Sequence, residues 1–299
     1  MENQPTLLLP PGARFIALGA AGAVFENGNG IVTKIPIAND LKGCDEATIK
    51  HIRHIEYISD QCIAREKLIY QTLPKNPNIL DCLEITDKGL SFPYHQFGDL
   101  RTYLSDHQAS QHIRERWINN AIDAIAFIHS HGVVHADIGP RNFLVADDLS
   151  LKLCDFAGSI IIGDNMEHYV EEEDRYRLTP GSPRSFKTDL FALGCLIYEI
   201  SGGVRPYDDI DAKEVARLYA GRSFPNLNGF RYHELIYKSW NSAYTTTSQL
   251  REDFLRQKES NAKWIPVSRP FGRPFMMSIL YTICFGSVVF LAFQKRNFK

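Results

Sequence analysis

His135-Ala136-Asp137-Ile138-Gly139-Pro140-Arg141-Asn142 and, thirteen residues after Asn142, Asp155-Phe156-Ala157-Gly158 decide how the chain is read. An Asp, an Asn five residues on and a later Asp-Phe pair form the spacing of a site with one proton acceptor and two metal ligands around a polyphosphate. In such a site Asp137 orients and deprotonates an acceptor hydroxyl, while Asn142 and Asp155 bind magnesium. The flanks support that geometry: Gly132-Val133-Val134 leads in, Phe143-Leu144-Val145 leads out, and Leu151-Lys152-Leu153-Cys154 precedes Asp155. These runs predict short strands whose ends present the polar residues.

Upstream, Ala17-Leu18-Gly19-Ala20-Ala21-Gly22-Ala23-Val24 is a turn of small residues, and glycine lets backbone N–H groups approach phosphate oxygens without a Cβ in the way. Asn27-Gly28-Asn29-Gly30 predicts a tight hairpin, because Asn-Gly tolerates positive φ. The returning strand, Ile31 to Ile35, carries Lys34 alone among mostly apolar residues. Residues 64–73 have apolar residues at helical spacing and stop at Pro74-Lys75-Asn76-Pro77. Downstream, Ile113, Trp117, Ile118, Ala121, Ile122, Ile125 and Ile128 predict one amphipathic helix between His112 and His131.

On these motifs the chain resembles the protein kinase family over residues 12 to 257. The resemblance implies an α+β bilobal fold, with a small β-rich N-terminal lobe over about 12–92 and a larger helical C-terminal lobe over about 98–257. It implies ATP and Mg²⁺ as cofactors and a protein hydroxyl as acceptor, with serine/threonine favoured. Asp137 is then the base and Lys34 the phosphate-positioning cation. Glu66 partners Lys34, ahead of Glu46 and Glu56, and residues 37–62 form an insertion or an extended helix. Arg141 belongs to the catalytic set. Gly19, Gly22, Val24, Val32, Lys34, Tyr94, His95 and Leu144 form the nucleotide site, and Asn142 and Asp155 the metal site. At the hinge, Phe92 guards the back pocket, Pro93 offers its carbonyl to the adenine amino group and His95 its N–H. Lys187 to Ile200 matches the family's buried central helix, where Asp189 is expected to hydrogen-bond the backbone of the catalytic loop; a helix N-cap is its local alternative, and the two roles are compatible. Arg205-Pro206-Tyr207, a helix near Asp211–Tyr219 and Leu235 to Trp240 complete the match.

Several departures matter. Ala136 stands where the family usually has arginine, which predicts activity without a phosphate on the activation segment. Ala157 replaces glycine and should restrict a backbone flip there. No A-P-E element lies between Gly158 and Asp189, where an acidic run, Glu171 to Asp174, occurs instead. Gly139 stands where serine/threonine kinases usually carry lysine, and Arg141 before Asn142 resembles the tyrosine-specific arrangement. Two alternatives stay open: a pseudokinase scaffold, and a small-molecule phosphotransferase of related fold.

A chain of 299 residues with 44% hydrophobic content can bury a two-lobed core, and a net charge of −2 implies no nucleic-acid partner. Cys44, Cys62, Cys82, Cys154, Cys195 and Cys284 lack metal spacing, which predicts reduced thiols in a cytoplasmic setting. No signal peptide is read. After a proline-containing linker over 258–274, residues 275–293 carry no charge, with Arg269 and Arg273 before them and Lys295 and Arg296 after. At 1.5 Å per residue that stretch spans roughly 28 Å, which predicts a C-terminal transmembrane helix anchoring a cytoplasmic kinase domain.

Overall fold

The computed structural model describes residues 4–164, 167, 169–170, 172–179 and 181–262. Strand β1 (Thr6–Leu7) precedes β2 (Arg14–Gly19), β3 (Gly22–Gly28), β4 (Ile31–Ile35) and β5 (Asn39–Asp40). The Asn-Gly signal forms the expected hairpin: Gly28, Asn29 and Gly30 all have positive φ between β3 and β4. Helix α1 (Glu46–Thr72) follows, capped by the Asp45 carboxylate on the Thr48 N–H. Its 27 residues settle the choice for the long stretch before Glu66 as an extended helix. Strands β6 (Glu84–Thr86) and β7 (Gly89–Pro93) complete an antiparallel five-stranded sheet of order β2-β3-β4-β7-β6. Sequence pattern gave no sign of the small β1–β5 pair.

The helical region contains α2 (Leu100–Asp106), α3 (Gln111–Ser130), α4 (Phe186–Gly202), α5 (Ala212–Ala220), α6 (His233–Trp240) and α7 (Thr247–Ala262). Between α3 and α4 lie β8 (Val133–Val134), a 3₁₀ turn (Pro140–Asn142), β9 (Phe143–Val145), β10 (Leu151–Leu153) and β11 (Ile160–Ile161). β9 pairs with β10 and β8 with β11, so two short hairpin-like pairs carry the polar loop residues. The apolar face of α3 is fully buried from Trp117 to Ile128 against α4, whose residues from Thr188 to Ile200 are all buried. At about 25 cal/mol per Å² of apolar surface, burial of this kind stabilises the base beneath the loops.

Ser185 caps α4, in a reciprocal capping box with Thr188. The local alternative for Asp189, a helix N-cap, is therefore filled by another residue. Asp189 is fully buried within the helix and its carboxylate is spent elsewhere. Helix α7 runs through Ala262, past the boundary expected at 257. Among the described residues no helix is long and apolar enough to cross a membrane. The stretch 275–293 lies outside the described residues.

Candidate active site

Three polar side chains meet where β4, α1 and the residues after β10 converge. Lys34 Nζ lies 2.6 Å from Glu66 Oε2 and 2.8 Å from Asp155 Oδ1. β4 brings the lysine because its central strand position is buried on both sides, and α1 delivers Glu66 at 1% exposure. Burial opposes the charge on Lys34, yet Asp155 and Glu66 together hold its pKa above the usual lysine value. Burial also works against ionisation of Asp155, but the Lys34 ammonium wins and keeps that carboxyl below its usual value. Glu66, the most deeply buried of the three, is pushed upward by desolvation. One ammonium thus holds two carboxylates, with Asp155 the more securely ionised.

Asp155 sits at φ +60°, and Phe156 behind it is fully buried. The left-handed backbone turns the Asp155 side chain toward Lys34 while Phe156 goes into the core. A left-handed non-glycine residue costs about 1–2 kcal/mol, and the packing of Phe156 offsets it. The Phe156 ring stands edge-on to Tyr70, with centroids 5.2 Å apart, and lies 5.3 Å from the His135 ring. Tyr70 lies one turn beyond Glu66 on α1, so the aromatic stack ties that helix to both polar loops.

The second group forms around Asp137. Asn142 Nδ2 donates to the Asp137 carboxylate at 2.8 Å and to its carbonyl at 2.6 Å, which leaves the amide oxygen of Asn142 to serve as a ligand. The 3₁₀ turn makes this contact possible by folding Asn142 back over the loop. Burial, and then repulsion from Asp155, push the Asp137 carboxyl up to about 7. The loop is held from below: Asp189 accepts from the backbone N–H groups of His135 at 2.8 Å and Ala136 at 2.9 Å, and pairs with the His129 ring at 2.9 Å. The expected contact between Asp189 and the catalytic loop is present. Ala136 has φ +61° and no side chain that binds an anion.

The oxygen donors suit a hard cation such as Mg²⁺, which takes few protein ligands and keeps its remaining positions for water and phosphate. Among the described residues no cluster of three or more His, Cys, Asp and Glu side chains forms, so Asp155 and the Asn142 amide are the donors such an ion would find. At the small-residue turn the two glycines differ. A Cβ on Gly19 would meet the Gly22 carbonyl oxygen at 4.0 Å, an ordinary contact. A Cβ on Gly22 would lie 2.5 Å from the Ile35 carbonyl oxygen, so Gly22 is required by packing on β4. Val24, Val32 and Leu144 lie on β3, β4 and β9. Phe92 is buried beside Leu90 and Cys154, 5.4 Å from Tyr70. The Tyr94 N–H is spent on the Gly30 carbonyl at 2.7 Å, and its ring carries the Arg14 guanidinium at 5.6 Å. His95 lines a cavity together with Tyr70, Pro77, Cys82 and Pro93, and burial lowers its imidazole pKa.

Arg141 does not join the Lys34 cluster. It is exposed and lines a separate cleft of about 810 Å³ into which Asp137 also opens. The walls of that cleft include Glu172 to Arg177 and Asp208 to Ala212. Burial, and then repulsion from Asp189, push Glu172 up to about 7.

Sequence reasoning missed the network that holds these walls. Arg101 of α2 donates to Glu173 at 3.0 Å and to the Tyr176 hydroxyl at 2.8 Å, and Tyr176 in turn donates to buried Glu199. Arg175 donates to the carbonyls of Pro206, Tyr207 and Ile210. Arg184 donates to the carbonyls of Gly158 and Val170. Partners 14 to 75 residues apart in different elements leave no spacing signature to read.

The family model described as the protein kinase domain matches residues 26–261. The match begins after the Gly19–Val24 turn. The dual specificity protein kinase Ttk of Danio rerio is 28% identical over 190 residues, 58% of this chain and 18% of its own length. CBL-interacting protein kinase 26 of Oryza sativa is 25% identical over 232 residues, 71% of this chain and 46% of its own length. NUAK family SNF1-like kinase 1 of Mus musculus is 26% identical over 208 residues, 64% of this chain and 29% of its own length. The chain spans less than half the length of these three relatives.

Proposed function

The chain belongs to the protein kinase domain family, and on that premise we propose that it transfers the γ-phosphoryl group of Mg-ATP to a protein hydroxyl, serine or threonine first. The convergence of Lys34, Glu66 and Asp155 beside the Asp137–Asn142 pair carries the reading. Mg-ATP, when bound, supplies the phosphoryl group and the charge that Lys34, Asn142 and Asp155 hold. Lys34 contributes a fixed cation to the phosphates. Asp137 accepts the hydroxyl proton, oriented by Asn142. The serine/threonine preference draws on relatives such as CBL-interacting serine/threonine-protein kinase 12 of Arabidopsis thaliana, 22% identical over 214 residues.

Nucleotide binding is the first test. Saturating Mg-ATP should raise the melting temperature of the full-length protein, since a ligand at 100 times its Kd stabilises by about 2.7 kcal/mol. No shift at millimolar Mg-ATP would contradict the reading and favour a scaffold.

The acid limb of the rate follows from Asp137, whose carboxyl stands at about 7. A proton acceptor must be ionised, so kcat/KM should fall about tenfold per pH unit below that value. Asp155 is one cause of the elevation, so excess magnesium should move the limb to lower pH. A limb near the ordinary carboxylate value, unmoved by magnesium, would contradict the assignment of Asp137.

For residues 275–293 the proposal is a membrane anchor. It is supported by nineteen uncharged residues bounded by basic ones. The full chain should sediment with membranes and resist alkaline extraction, and release by alkali would overturn the proposal.

A further inference from the structure

The turn between β2 and β3 is tied to α1 by one hydroxyl. Ser59 lies on α1, seven residues before Glu66, and is fully buried. Seven residues make about two helical turns, so Ser59, Ile63 and Glu66 share one face of the helix. The Ser59 hydroxyl donates to the Ala21 carbonyl at 3.0 Å and accepts from the Ile37 N–H at 2.9 Å. A serine hydroxyl has a single hydrogen to give, and here it goes to the turn. Ala21 stands at the tip of that turn, between Gly19 and Gly22, and Ile37 lies two residues past the strand that carries Lys34. One side chain thus fastens both the turn and the end of the Lys34 strand to a single point of α1.

Apolar contacts reinforce the tie. Ala21 is 6% exposed and packs on Cys62 of α1 and on Ala157, the residue after Phe156. A Cβ on Gly22 would come within 3.3 Å of Ile63 Cδ1, so the turn lies directly on α1 at that point. The segment after β4 has a second tie, because the Asn39 N–H donates to Glu56 at 2.7 Å. Loss of the Ser59 hydroxyl therefore falls mainly on the turn. A turn bounded by two glycines has much backbone freedom to lose when it is ordered. Fixing it before a ligand arrives removes that cost from binding.

We propose that Ser59 is a positioning residue for nucleotide binding, whose hydroxyl pins the Ala20–Ala21 turn to α1 ahead of the phosphates. Buried beneath the turn, it acts through Ala21 and not on the reacting atoms. The effect on nucleotide affinity rests on the functional reading above, whereas the effect on the position of the turn does not.

Cys62 reports whether the turn is down. It is 2% exposed beneath Ala21, and lifting the turn uncovers it. Full-length wild type, Ser59→Ala and Ser59→Cys are labelled with iodoacetamide without nucleotide, and the rate at each cysteine is read by mass spectrometry. Cys62 should label about tenfold faster in Ser59→Ala, as expected for the loss of a buried hydrogen bond. Cys195, fully buried in α4, reports general loosening and should not change. In steady-state assays the KM for Mg-ATP should rise about tenfold in Ser59→Ala, with kcat at saturation within about threefold of wild type. A merely structural role would lower kcat by loss of folded enzyme and leave KM in place. Ser59→Cys keeps the volume of the side chain but only a weak donor, so it should shift both values in the same direction, and it carries the test if Ser59→Ala does not fold. An unchanged Cys62 rate, a rise matched at Cys195 or an unchanged KM overturns the proposal. Absence of transfer in wild type overturns the kinase reading, and the Cys62 rates alone then decide whether Ser59 holds the turn.

Discussion

Replacing Asp137 by Asn should lower phosphoryl transfer by about 10²–10⁴-fold, the range that positioned acid–base groups contribute, with little change in melting temperature. The substitution keeps the shape of the side chain and its contact with Asn142, and it removes the proton acceptor. It also removes a carboxylate that burial and Asp155 disfavour, so the fold does not depend on its charge. Asp137 is half-buried at the mouth of the cleft, and Asp189 holds the loop by its backbone regardless of residue 137. Steady-state rates at saturating Mg-ATP, with a melting curve on the same protein, separate the two effects. Retained activity, or a loss that tracks unfolding, would contradict the assignment.

Lys34→Ala should have the largest effect on stability at this site. Lys34 has 11% of its side chain exposed and pairs with Glu66 at 2% and Asp155 at 39%. Breaking a buried pair by removing one partner costs about 3–5 kcal/mol, because the remaining charge stays uncompensated. The pH dependence has a definite sign. Without the lysine, the Glu66 pKa, already raised by burial, loses the interaction that lowers it. A folded pKa raised above the unfolded value gives stability that is present at low pH and lost as pH rises through the folded value. The deficit against wild type should therefore be smaller at pH 5 than at pH 8, in denaturant titrations at both values. The same variant should lose the stabilisation by Mg-ATP. An equal deficit at the two pH values would show that the carboxylates find other partners.

Much of the site was legible because local chemistry forces it. The five-residue step from Asp137 to Asn142 folds as one 3₁₀ turn, and Asn27-Gly28-Asn29-Gly30 makes the hairpin that sets Lys34 in register. Glu66 was chosen over Glu46 and Glu56 because the turn from Asn76 to Ile79 follows it at about the distance the resemblance implies, and the structure places Glu66 beside Lys34. Asp189 was read correctly as a partner of the loop, and its local alternative as an N-cap is filled by another residue. Ser185 and Thr188 reciprocate as a capping box, which frees Asp189 to bond the loop. Gly22 was read for phosphate approach; that its missing Cβ also makes room for the Ile35 carbonyl was not legible, because only the sheet creates that contact. The Arg101, Arg175 and Arg184 contacts were not legible at all. Arginine reaches partners in distant elements, and nothing in its own neighbourhood announces them.

The absence of an A-P-E element raised the prospect of a scaffold without activity. In the fold, Arg101, Arg175 and Arg184 fasten the segment to α2, to the loop before α5 and to its own backbone. These contacts keep the walls of the Asp137 cleft in place by means internal to the chain.

The central claim is tested most directly by following γ-labelled ATP with the purified full-length protein, with magnesium, against protein, peptide and small-molecule acceptors in parallel. Label should appear on serine or threonine of a protein or peptide, require magnesium, and vanish with Asp137→Asn. Label confined to small molecules, or no transfer to any acceptor, would contradict the account.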